Sequence, residues 1–158
     1  YGMVVPRFVS QALAGKPLTV YGDGTQTRCF ADVRDVVRGI VTLAQCDQAE
    51  GQVFNLGSTR EIRIRDLASL VIALTDSHSE IHYIPYDQAY QAGFEETQRR
   101  VPDIRCAAEI LGFRAQTPLE EGLKQTIAWF HQAWPHNSLA PGRADLAGFF
   151  DPSDKTMR

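Results

Sequence analysis

Apolar positions along the chain follow two rhythms, one of three- and four-residue steps and one of short β-branched runs. Val5, Phe8, Val9, Ala12 and Leu13 mark one face of a helix, with Pro6 fitting its first position and Gly15 its C-terminal cap. "LTVYG" reads as a short strand, "GDG" as its turn, and "CFADV" as a second strand running into a helix through "RDVVRGIVTLAQ". "GQVFNLGS" is a glycine-bounded apolar strand, and Ile64, Leu67, Ala68, Val71 and Leu74 then resume the helical rhythm. "EIHYIPY" is a further strand closed by Pro85, and "YDQAYQAGFEETQRR" is a loop or broken helix. "PDIRCAAEILGF" is a short helix, with Asp103 as N-cap and Gly112 as stop. In "TPLEEGLKQTIAWFHQAW", Thr117 and Glu120 form a capping box around Pro118, and Leu119, Leu123, Ile127, Phe130 and Trp134 form the buried stripe. Beyond Pro135 the pattern dissolves, so residues 136–158 are expected as a loosely ordered tail behind a folded part, residues 1–135.

Strands alternating with helices place the chain in the α/β class. Its 158 residues suffice for one core, and 44% hydrophobic with 22% charged residues is an ordinary globular composition. A formal net charge of −3 without a Lys/Arg-rich run argues against a nucleic-acid or anionic-membrane partner. No apolar stretch is long enough to cross a bilayer, and the opening lacks the layout of a signal peptide. Cys29, Cys46 and Cys106, odd in number and scattered, read as buried free thiols of a reducing, cytoplasmic compartment. His78 and His82 have i,i+4 spacing without the carboxylate pattern of a metal motif.

The chain carries no glycine-rich dinucleotide loop, no Tyr-x-x-x-Lys pair, no G-x-S-x-G elbow and no Walker A loop. On its own residues it holds no complete catalytic apparatus, so no catalytic residue is assigned.

The string "GMVVPRFVSQALAGKPLTVYGDGTQTRCFADVRDVVRGIVTLA", followed by "VFNLGSTREIRIRDLA", "ETQRRVPDIRCAAEILGF" and "TPLEEGLKQTIAWF", resembles the NAD-dependent epimerase/dehydratase family of extended short-chain dehydrogenases. The resemblance covers roughly residues 1–130 in the family's order. It implies the C-terminal, substrate-binding half of an extended Rossmann-type fold, with the dinucleotide-binding half and its Tyr-x-x-x-Lys pair absent from this stretch. NAD is then expected on that other half and not on this chain alone. The implied partner is a UDP-sugar or another nucleotide-diphosphate sugar, with self-association through the faces left open.

The same resemblance implies the site. Thr19 and Tyr21 offer a main-chain carbonyl and amide to the base, with the Tyr21 ring near its face. Arg28 in "QTR" and Arg100 in "QRRVPD" take the diphosphate, Asp103 accepts from ribose hydroxyls, and Val4 lends a helix-start amide to phosphate. The residue types suit the task. A planar guanidinium bonds two anionic oxygens at once, and a helix start adds unpaired amides and partial positive charge. Plainer readings stand beside these: Arg28 and Arg99 as solvated surface charges, Asp103 as a helix cap only, and Tyr21 as a strand aromatic of the core. The expected parent activity is a UDP-sugar 4-epimerase working through a 4-keto intermediate. UDP-glucuronate decarboxylation and a non-catalytic nucleotide-sugar-binding module are the alternatives. An upstream segment bearing the glycine loop and Tyr-x-x-x-Lys decides between enzyme and module.

Overall fold

The computed structural model describes residues 3–89 and 96–133. Helix α1 (Val4–Leu13) leads to strand β1 (Leu18–Tyr21), then β2 (Thr27–Cys29), α2 (Val33–Ala44) and a short 3-10 turn, Asp47–Ala49. After an extended stretch come β3 (Glu61–Arg63), α3 (Ile64–Leu74), β4 (Ile81–Ile84), α4 (Tyr86–Ala89), α5 (Arg105–Leu111) and α6 (Leu119–Ala133). The α/β class holds, with two small two-stranded sheets: β1 pairs with β4 in parallel and β2 with β3 antiparallel.

The periodic faces meet in one core. Phe8, Val9 and Ala12 of α1, Leu18 and Val20 of β1, Leu67, Ala68 and Val71 of α3, and Leu123, Ile127 and Phe130 of α6 pack together. Truncating a residue as enclosed as Leu67 to Ala would cost about 2–5 kcal/mol. The β1 turn depends on glycine at two places. Gly22 has φ +69° and Gly24 φ +72°, and a Cβ on Gly22 would stand 2.4 Å from the Tyr86 ring.

Several expectations are corrected. Pro6 is the third residue of α1 and not the first, and its missing N–H falls among the amides that a helix start leaves unpaired in any case. The second strand is Thr27–Cys29, earlier than "CFADV", because Asp32 is needed as N-cap of α2, where it accepts the Arg34 amide at 2.9 Å. "GQVFNLGS" forms no ladder among the described residues, and Val53 is 91% exposed. A strand exists only through a neighbour's N–H and C=O groups. His78 precedes β4 and His82 lies in it, so their spacing is not helical. The three cysteines are free as expected but half-buried. Trp134 and the tail lie outside the described residues.

The capping box is replaced by a stronger arrangement. Glu120 turns to Arg60, accepting at 2.7 and 3.0 Å, while Asp35 of α2 takes over the start of α6. Asp35 is fully enclosed, and its Oδ2 accepts the Gln116 and Thr117 amides at 2.9 and 2.8 Å. Its Oδ1 pairs with Arg38 at 2.7 Å. Burial pushes the Asp35 carboxyl up, but the Thr117 amide, Arg38 and the Gln116 amide outweigh it and leave it below the ordinary value. Opposite this buried face, α2 turns Val33, Val37, Ile40 and Val41 to solvent.

Asp35→Ala therefore leaves two amides and a guanidinium without their acceptor, and is expected to lower stability at pH 7 by roughly 3 kcal/mol. A group whose folded value is depressed stabilises above its unfolded value and loses that contribution as pH falls through the folded one. The deficit of the variant should accordingly shrink below about pH 4, the unfolded aspartate value. Urea denaturation at pH 7 and pH 3 measures both; equal midpoints for the two proteins at pH 7 contradict the assignment.

Candidate functional site

The register of β1 decides which of its backbone groups face outward. Leu18 and Gly22 donate to Glu80 and Ile84 of the β4 side, each at 2.8 Å, so Thr19 and Tyr21 turn their backbone groups the other way. The structure thus brings these two residues to one edge, where α1 covers them. The Gln11 carboxamide accepts the Thr19 amide and donates to the Thr19 hydroxyl, both at 3.1 Å. Arg7 donates to the Thr19 carbonyl at 3.2 Å and lies over the Tyr21 ring, 4.5 Å from its centroid. A ligand using both Thr19 groups must displace the Gln11 oxygen and share the carbonyl, whose two lone pairs permit it. Gln26, only 5% exposed, donates to the Tyr21 carbonyl at 3.0 Å and ties this edge to β2.

Arg28 lies in the middle of β2, opposite Ile62 of β3. On the other side of β2, the Thr27 amide donates to the Gln98 carbonyl at 2.8 Å, and Thr27 bridges Arg99 in parallel. Successive side chains of a strand alternate between faces. One face gathers Thr27, Glu61 and Arg99: Glu61 accepts from the Thr27 hydroxyl at 2.8 Å and from Arg99 at 2.8 Å, which holds the Glu61 carboxyl below its ordinary value. Arg28 turns to the opposite face with Ile62, and Arg100 follows the bridging Arg99. Two arginines from segments far apart in sequence thus each lie one residue beyond the Thr27–Arg99 bridge.

Arg28 is the more enclosed of the pair, with a side chain 20% exposed. Its Nη1 donates to the Thr27 carbonyl at 2.7 Å, and its Nη2 is ion-paired with Glu96. Arg100 is exposed and donates to the Thr97 hydroxyl at 3.5 Å. Asp103 is exposed just ahead of α5; its Oδ1 accepts the Arg105 amide at 3.0 Å although Ile104 is the formal cap. The Arg105 guanidinium, 2.6 Å from Oδ2, holds the Asp103 carboxyl down to about 2. Asn55 donates to the Asp103 carbonyl at 3.1 Å, which fixes this turn against the extended stretch. Val4 opens α1, and Met3 ahead of it supplies no side-chain cap, so the helix start keeps its amides available.

Arg7, Gln11, Gln26 and Glu96 were missed by sequence reasoning. The four-residue spacing of Arg7 and Gln11 on one helix was the only available signal, and nothing in the sequence pairs Glu96 with Arg28.

Residues 2–126 match the family described as GDP-mannose 4,6 dehydratase. The chain belongs to that family, within the NAD-dependent epimerases and dehydratases. Among its relatives, a UDP-N-acetyl-alpha-D-glucosaminuronate decarboxylase of Bacillus cytotoxicus is 41% identical over 84% of this chain and 41% of its own length. An epimerase of Methanothermobacter thermautotrophicus superposes with a TM-score of 0.77 at 30% identity, over 85% of this chain and 38% of the other. The UDP-glucuronic acid 4-epimerase of Bacillus cereus, solved with UDP-glucuronic acid and NAD, superposes at 0.74 with 27% identity, over 84% and 40%. The chain thus spans about two-fifths of these proteins, and the fold class expected from sequence is theirs.

NAD is present in that last structure, and the glycine-paired turn after this chain's β1 can be compared with the loop such a cofactor needs. A dinucleotide site needs a glycine-rich turn feeding a helix start. Here the Gly22–Gly24 turn leads into another strand, and a Cβ on Gly24 would meet Arg65 and Val20 at 2.8 and 2.9 Å. This turn does not form such a cradle.

The Asp103–Arg105 contact yields a direct check. The Asp103 carboxyl, followed by carbon NMR against pH, is expected to titrate near 2. Arg105→Ala should raise it toward the ordinary aspartate value but not fully to it, because the amide of residue 105 still donates to Oδ1. A midpoint near 4 in the unaltered chain contradicts the contact.

Proposed function

We propose that this chain is the substrate-binding portion of a UDP-sugar enzyme that works through a 4-keto intermediate, with Arg28 and Arg100 as the diphosphate grip. The single observation that supports the reading is the Thr27–Arg99 bridge, which sets Arg28 and Arg100 each one residue further along neighbouring segments. Arg28 is desolvated enough to demand an anion, and Arg100 is exposed enough to close on one from solvent. Val4 adds helix-start amides for phosphate, Thr19 and Tyr21 the base edge, and Asp103, ionised throughout the neutral range, an acceptor for ribose hydroxyls.

The decarboxylase relative, at 41% identity, favours UDP-uronate decarboxylation over the 4-epimerase expected first. The epimerases among the solved structures, at 27% and 30% identity, keep epimerisation as the second reading. Both begin with oxidation at C4, for which NAD supplies the hydride acceptor. On this reading NAD is held by sequence beyond the two-fifths of the fold that this chain spans. The residues in hand bind and orient the substrate: two guanidiniums neutralise the diphosphate, and the β1 edge fixes the base at the far end.

Calorimetric titration with UDP, with uridine as control, tests the grip. Arg28→Ala is expected to weaken UDP binding by roughly thirtyfold or more, the equivalent of about 2 kcal/mol, and to leave uridine unaffected. Arg100→Ala should act in the same direction. UDP affinity unchanged by both substitutions contradicts the proposal.

A further inference from the structure

The contact between Arg28 and Glu96 is unexpected at a site meant for an anion. Cations and neutral donors suit a diphosphate; a carboxylate opposes it. Glu96 is nevertheless largely enclosed, its side chain 16% exposed, and paired with the very guanidinium assigned to the ligand.

Two features separate the roles of the pair. Arg28 is held independently of Glu96, because its Nη1 donates to the Thr27 carbonyl within β2. Glu96, by contrast, sits in neither helix nor strand, and the bond that fastens its segment to β2, from the Thr27 amide to the Gln98 carbonyl, comes two residues later. Turning the Glu96 side chain away breaks one ion pair and no ladder bond. A phosphate oxygen arriving at Nη2 fills the same requirement, an anion beside a guanidinium mostly withdrawn from water. Both anions cannot occupy that position, since like charges brought together without water repel strongly.

We propose that Glu96 is an internal competitor for the diphosphate, occupying Arg28 until a phosphate anion displaces it. The proposal rests on the diphosphate reading of Arg28 and adds how that site is controlled. In the empty site the carboxylate satisfies the enclosed guanidinium and keeps it in place. The competition lowers apparent affinity by the fraction of time that Arg28 is free: a contact closed nine times in ten weakens binding about tenfold.

The test is a calorimetric titration of the full chain with UDP at fixed ionic strength, for the unaltered protein, Glu96→Gln, Arg28→Ala and the double variant, each first checked for folding by circular dichroism. Glu96→Gln keeps the size of the side chain and removes its charge. It is expected to tighten UDP binding by about tenfold, and the gain should largely vanish in the Arg28→Ala background. Glu96→Ser, which removes the carboxylate altogether, should tighten binding in the same direction and serves if the glutamine variant misfolds. Equal or weaker binding by both Glu96 variants overturns the competition and leaves Glu96 a positioning residue for Arg28. UDP affinity insensitive to Arg28→Ala, or no UDP binding by any variant, instead overturns the diphosphate reading and this inference with it.

Discussion

A guanidinium four-fifths withdrawn from water has to stand beside an anion, and Arg28 meets that constraint in this fold. It sits mid-strand in β2, flanked by β3 on one side and by the segment around Gln98 and Arg99 on the other. That segment is fastened laterally by the Thr27 amide on the Gln98 carbonyl and by the Arg99–Glu61 pair. These contacts bring Glu96 to Arg28, which nothing in its own sequence neighbourhood would do. The two faces of the resulting ribbon divide the work. Glu61, Arg99 and Thr27 lock one side together, and on the other Arg28 shares its face with Ile62, which packs against the core.

The scaffold behind the ribbon is held by buried groups that leave little freedom. Asp35 joins the start of α6 to α2 by accepting two amides and one guanidinium. The core of α1, β1, α3 and α6 supports the β1 edge, over which Arg7 and Gln11 are laid. The β1 edge and the β2 ribbon are linked through Gln26, whose carboxamide reaches from the head of β2 to the Tyr21 carbonyl. A rigid link of this kind suits a ligand that must be gripped at two distant points.

Much of the scaffold was legible because its helices are amphipathic over several turns. Phe8 to Ala12, Leu67 to Val71 and Leu123 to Phe130 announce their buried faces by spacing alone. Strands were less legible, for a physical reason. β2 has polar residues at its centre and is recognisable only once its partners are known, whereas "GQVFNLGS" has strand composition but meets no partner among the described residues. The glycine stops of α1 and α5 stand as expected, but at the starts of α5 and α6 Asp103 and Glu120 also pair with arginines that the cap pattern does not reveal. Of the candidate site, Arg28, Arg100 and the β1 edge were legible through the order of motifs shared with the family. Glu96, Arg7 and Gln11 were not, because their roles arise only when separate segments come together.

The account stands most directly on where a diphosphate sits. A crystal structure of the chain with UDP is predicted to place phosphate oxygens against Arg28 and Arg100 on one face of the β2 ribbon, with the Glu96 carboxylate turned away. A diphosphate bound elsewhere, with the Arg28–Glu96 pair intact, would contradict it.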